Sequence, residues 1–183
     1  MPLVALLLVL SSWVLAVPAT AEEPLSGLAL QVVHEPHALE VRVLLLDPLP
    51  DDLRNSLRSG SPVRVGYPIR VRARRKLWWD RRVWRGDLLS VASFDAITGR
   101  YRCEAILDGA IIETREAASI DEASAWLTNP PSVRIVLPDK HADATLKVRA
   151  RAVFAESTTW LVFPSVEGTD WTEEPLFLSG EDD

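Results

Sequence analysis

The stretch PVRVGYPIRVRARRK, residues 62–76, alternates between two kinds of side chain. Every odd position from Val63 to Ala73 is apolar (Val63, Val65, Tyr67, Ile69, Val71, Ala73), while the even positions hold Arg64, Gly66, Pro68, Arg70, Arg72 and Arg74. Successive side chains of a strand leave opposite faces, so this period of two predicts a strand with one dry face and one cationic face. Pro68 has no N–H to give to a ladder, which points to an edge strand or a bulge at that position. The same arithmetic applied to ADATLKVRARAVF, residues 142–154, puts Ala144, Leu146, Val148, Ala150, Ala152 and Phe154 inside and Thr145, Lys147, Arg149 and Arg151 outside. Both strands are basic on their exposed faces.

Further strands are predicted over 28–34, 38–46, 87–95, 100–107, 110–115 and 132–138, separated by breakers such as Glu35-Pro36, Thr98-Gly99 and Asp108-Gly109. Asp-Gly between two apolar runs is a two-residue hairpin signal, because both central residues of a type I′ turn need positive φ. Two short helices interrupt the strands. PDDLRNSLRSG (50–60) opens on acids and closes on Gly60, and SIDEASAWLTNPP (119–131) has Ser119 and Glu122 in capping-box spacing before Pro130. About eight strands with two short helices define a mainly β chain, folded as a single-domain β-sandwich or a strongly curved antiparallel sheet.

The first 21 residues carry no charged side chain, and an apolar core of about 15 residues leads to Pro18 and Ala19-Thr20-Ala21. That pattern is a signal peptide with Glu22 as the mature start, so the chain is expected to be exported to the periplasm or cell envelope. The core is short of the roughly 20 apolar residues that span a bilayer, although the missing Lys or Arg before it leaves an uncleaved anchor as the alternative. Residues 22–178 then form one β-rich domain, followed by an acidic tail over 179–183. Cys103 is the only cysteine and cannot make an internal disulfide. In YRCEAIL it shares a strand face with Tyr101, Ala105 and Leu107, which predicts a buried small hydrophobe rather than a reactive thiol.

The order of these elements carries a resemblance. Two long strands, a helix of the form LPDDLRNSLRSGSPV feeding a strand, then KLWWD, SFDAITGRYRC, the helix SIDEASAWL and a closing strand ahead of a late tryptophan resemble the exported bacterial family catalogued as domain of unknown function 4390. The parallel covers roughly residues 28–171, and its most specific elements are Trp78-Trp79-Asp80 and the turn from Asp95 to Tyr101. The resemblance implies an envelope location and a predominantly β domain. It implies no enzyme activity.

Charge is segregated along the chain. Residues 54–85 contain eleven Arg or Lys and one acid, Asp80, within a chain of net charge −6. Inside that segment RARRKLWWDRRVWR (72–85) combines Trp78, Trp79 and Trp84 with Arg74, Arg75, Arg81, Arg82 and Arg85. Arg and Trp dominate protein interface hot spots, which makes an envelope protein the first expected partner. The same residues suit anionic lipid or envelope polysaccharide, with tryptophans at a headgroup boundary and arginines on phosphate. A third reading is architectural: a tryptophan covers the open end of the core and the arginines stack on the rings. Nucleic acid is not expected for an exported chain with an acidic remainder.

Catalytic signatures are missing. The sequence has no G-x-S-x-G, no Walker loop, no Cys-His signature and no H-E-x-x-H, since position 38 is alanine. His34 and His37 with Glu35, and His141 after Asp139, would make a metal site only if the two segments met, and their spacing matches no known ligand pattern. The acids Asp51, Asp52, Asp121 and Glu122 stand at helix N-termini, where negative charge is stabilising without chemistry. The expectation is a non-catalytic binding or accessory module without cofactor or metal.

Overall fold

The computed structural model describes residues 27–35, 37–74, 80–138, 145–154 and 167–176. The expected leader and acidic tail lie outside these residues, as do Arg75, Trp78, Trp79, His141 and Ala144. Among the described residues there are eleven strands and two helices. In chain order these are β1 (Leu28–Glu35), β2 (Ala38–Leu45), α1 (Asp51–Arg58), β3 (Val63–Ala73), β4 (Arg81–Asp95), β5 (Arg100–Leu107) and β6 (Ala110–Ala117). Then follow α2 (Ile120–Thr128), β7 (Val133–Val136), β8 (Leu146–Ala150), β9 (Val153–Phe154), β10 (Glu167–Gly168) and β11 (Thr172–Leu176). All pairings are antiparallel.

The strands form two sheets in a β-sandwich-like arrangement, not closed into a barrel. The smaller has the order β1-β2-β7, and the larger runs β10-β9-β3-β4-β5-β6, with β8 also beside β3 and β11 beside β8. The alternation in β3 is realised in full: Val63, Val65, Tyr67, Ile69, Val71 and Ala73 are all buried. They join Leu39, Val41 and Val43 of the small sheet and Leu57 and Leu127 of the helices in one core. Burying each of the Val, Ile and Leu side chains contributes about 1.5–3 kcal/mol, so a period-two stripe of this length fixes the register of the strand.

Besides the division of the expected strand 142–154 into β8 and β9 and the added strands β10 and β11, two details differ from the sequence-based expectation. Pro68 does not mark an edge, because β3 has β4 on one side and β8 and β9 on the other. The ladder to β8 ends at Ile69↔Ala150 and resumes with β9 at Gly66↔Val153, so the outer strand is interrupted where proline has no donor. The second difference is the length of β4. It begins at Arg81 instead of near residue 87, because pairing with β3 continues past a bulge at Val83, between the pairs Val71↔Trp84 and Arg72↔Arg82.

The helices close the inner face of the large sheet beside β4 and β5. In α1, Leu53 and Leu57 are buried one turn apart, and the helix ends as a Schellman motif: Gly60 has φ 90°, Gly60 N donates to Leu57 O and Ser61 N to Ser56 O. In α2 the Ser119 hydroxyl accepts from Glu122 N at 3.2 Å, while the Glu122 carboxylate accepts from Ala118 N at 2.8 Å. The sheet is tied to α2 by the Tyr67 hydroxyl, which donates to Leu127 O at 2.6 Å, and by Ser90, which donates to Trp126 O at 3.2 Å. Burial pushes the Tyr67 phenol well above its ordinary range, so it stays a neutral donor.

Candidate functional site

The outward-pointing residues of β3, β4 and β8 come into register as a cationic array. Arg149 of β8 faces Arg70 of β3, which faces Arg85 of β4; one step along, Lys147 faces Arg72, which faces Arg82. Two rows of three positive side chains therefore cross three adjacent strands. The bulge at Val83 creates the second row, since it shifts Arg82 onto the outer face opposite Arg72 while Trp84 keeps its place opposite Val71. Like charges directly opposite each other cost on the order of 0.2–1 kcal/mol per pair, and this array holds four such pairs, so packing alone gives no reason for it.

Carboxylates relieve only part of the charge. Arg70 pairs with Asp87 at 3.1 Å, and Arg149 pairs with Glu173 of β11 at 2.6 Å. Lys147 also contacts Glu173, and its hydrogen bond, helped by the charges of Arg149 and Arg72, holds that carboxyl below the usual carboxylate range. Arg72, Arg82 and Arg85 are exposed and form no ion pair with a described residue. Trp171 sits beside them with the guanidinium of Arg149 5.2 Å and that of Arg151 5.1 Å from its ring centre, geometry that stiffens both side chains. Arg70, Arg72, Arg82, Arg85, Arg149 and Trp171 line an open cleft of about 260 Å³.

Next to the array the same sheet face turns apolar. Val153, Gly66, Leu89 and Ile106 lie in one register row across β9, β3, β4 and β5. With Pro68 they border a shallow hollow of about 450 Å³ whose near rim is Asp87, the partner of Arg70. Gly66 keeps it open: a β-carbon there would meet only Val153 O at 3.6 Å and Val153 Cβ at 3.8 Å, so the missing side chain leaves usable depth. The outer face thus presents a cationic patch continuous with an apolar strip.

The sequence-predicted residues divide. Arg82 and Arg85 belong to the array, Arg74 is exposed at the end of β3 with its N–H on Thr145 O, and Arg81 is exposed at the start of β4. Trp84 points to the inner face and is half-buried against the core. Its ring lies over Gly86, where a β-carbon would come within 2.3 and 2.5 Å of ring carbons. Arg75, Trp78 and Trp79 lie outside the described residues. Sequence reasoning missed Arg70, Arg72, Lys147, Arg149 and Trp171 as site members. The signal that finds the four cationic residues is the basic outer face of both alternating strands, a pattern that Trp171 does not share.

The other candidates are dispersed. His34 lies in β1 opposite Leu39, and His37 takes the hairpin position with φ 65°. Among the described residues no group of three His, Cys, Asp or Glu side chains is placed to hold a metal ion. Cys103 is fully buried, and burial pushes its thiol up to about 11, against a smaller downward pull from Arg115. The Asp95 carboxyl accepts from Ile97 N and Thr98 N, which lowers it and fixes the β4–β5 turn.

Two antiparallel sheets sharing one core, with charge segregated onto one outer face, define the protein as a small β-sandwich-like domain. The chain belongs to the family described as a domain of unknown function (DUF4390), whose model matches residues 28–172. The match runs from the first residue of β1 to the first of β11 and so includes the strands that carry the array. No curated protein and no solved structure matches the chain.

Proposed function

We propose that this protein is an exported, non-catalytic binding module of the cell envelope whose outer sheet face holds a phosphate-bearing lipid. The observation that carries the reading is the 2 × 3 array of like charges, in which Arg72, Arg82 and Arg85 lack a carboxylate among the described residues. Guanidinium groups converging on one cleft match a phosphate, which offers up to two charges and several acceptor oxygens, better than a single carboxylate. The adjoining Val153, Leu89 and Ile106 strip suits an acyl chain. A soluble glycan has no use for that strip.

The test is flotation of the purified protein with vesicles of phosphatidylcholine alone, or with about a fifth phosphatidic acid, at rising salt. Capture only by phosphatidic acid vesicles is expected, falling steeply between roughly 50 and 500 mM salt as the Debye length shrinks. Arg82→Glu with Arg85→Glu should abolish it, and Leu89→Asn should weaken it with the charge intact. Binding of pyrophosphate without vesicle capture would make the ligand a soluble phosphate and remove the apolar strip from the site. Binding of neither, with an acidic envelope protein held by the same arginines, would return the face to a protein partner.

A further inference from the structure

We infer that β6 is a pairing edge for a second copy of this chain, joined antiparallel about a two-fold axis at Thr114. The strand ends the large sheet, and every residue from Ala110 to Glu116 is exposed. Ile111 and Ile112 are 57% and 43% exposed, so this edge combines apolar side chains with free backbone groups. Long exposed edges of this kind template strand addition unless they are covered.

Hydrogen-bond parity selects the register. The Asp108–Gly109 turn has φ 49° and 88°, as a two-residue hairpin requires, which makes Leu107↔Ala110 a hydrogen-bonded pair. Alternation along β5 then assigns hydrogen-bonded status to Ala105↔Glu113 and Cys103↔Arg115, with the bulge absorbed at Ile112. Thr114 and Glu116 accordingly turn their N–H and C=O away from β5, toward the free edge. An antiparallel copy centred on Thr114 uses the Thr114 groups at the axis, where Thr114 meets Thr114, and sets Glu116 of each copy beside the bulge residue Ile112 of the other.

The charges agree with that register. It sets Glu113 of each copy opposite Arg115 of the other, at non-hydrogen-bonded positions where side chains approach most closely. Neither side chain forms an ion pair with a described residue of its own chain. Backbone pairing and charge pairing are thus satisfied by one symmetry operation, and the interface is self-complementary as a two-fold contact must be.

Sedimentation equilibrium of the purified protein tests this at up to about 100 µM, the range suited to a small strand-edge interface. The parent chain is expected to dimerise. Glu113→Arg and Arg115→Glu should each weaken the dimer by about tenfold or more, an equimolar mixture of the two should re-form a heterodimer, and the double swap in one chain should re-form a homodimer. Thr114→Pro removes an N–H that faces only the edge, so it should leave a folded monomer. A monomeric parent, or single-charge variants that dimerise as well as the parent, would overturn the inference. So would a heterodimer no tighter than the single variants alone.

Discussion

Alanine at position 86 would put a methyl group where the Trp84 ring now lies. Replacing a strand glycine ordinarily stabilises a protein by about 0.5–1 kcal/mol through the lost chain entropy of the unfolded state. Here the new β-carbon would stand 2.3 and 2.5 Å from two ring carbons, so the indole must leave the sheet. A tryptophan buries about 150–250 Å², and displacing one that is half-buried forfeits roughly 100 Å², or about 2.5 kcal/mol. Gly86→Ala should therefore destabilise the fold by about 2 kcal/mol, and Trp84→Ala by about 2.5 kcal/mol. In the Trp84→Ala background the ring clash is gone and only Asp108 Oδ2, 3.1 Å from the new β-carbon, has to give by a few tenths of an ångström, so Gly86→Ala should be close to neutral. Urea unfolding followed by far-ultraviolet circular dichroism measures all four chains, and the cycle should return a coupling of about 2 kcal/mol. Additive effects within about 0.5 kcal/mol would refute the view that Trp84 is the cover of Gly86.

Other consequences are as direct. Tyr67→Phe leaves Leu127 O without its buried donor and should cost about 1–2 kcal/mol in the same urea assay, with little effect on vesicle capture. Cys103, with its thiol raised to about 11 from 9.0, should react with an alkylating reagent at pH 8 about a hundredfold more slowly than an unfolded control. Because the folded value is the higher one, the neutral thiol's contribution to stability is complete below about pH 9 and is lost as pH rises through about 11, which pH-dependent urea midpoints would register. Glu173→Gln releases Lys147 and Arg149 from their carboxylate and should tighten phosphatidic acid binding several-fold, whereas unchanged affinity would place the ligand away from β8.

The local pattern of the chain was readable to a degree that its neighbours were not. Val63 to Ala73 announce their own face because burial is periodic, and Ser119 with Glu122 announce a helix start because capping needs that spacing. No property of residues 63–73 alone says that β8, more than seventy residues later, lies beside them. That pairing turns two basic strand faces into one array, and it brings Trp171 to the cleft. Trp84 was ambiguous for a related reason: in RRVWR the alternation is hidden by the bulge at Val83, so the inward side of the tryptophan follows only from the register with Val71. The role of Pro68 depended likewise on an interruption in the neighbouring strand.

The phosphate site is tested most directly by titrating the protein, labelled at arginine guanidinium nitrogens, with a short-chain phosphatidic acid and following it by nuclear magnetic resonance. The Nε–Hε signals of Arg72, Arg82 and Arg85 should shift together with one saturating affinity, while that of Arg134, paired with Glu35 on the other sheet, stays in place. Shifts spread evenly over all exposed arginines, or no shift at those three, would contradict a phosphate site on the outer face of β3, β4 and β8.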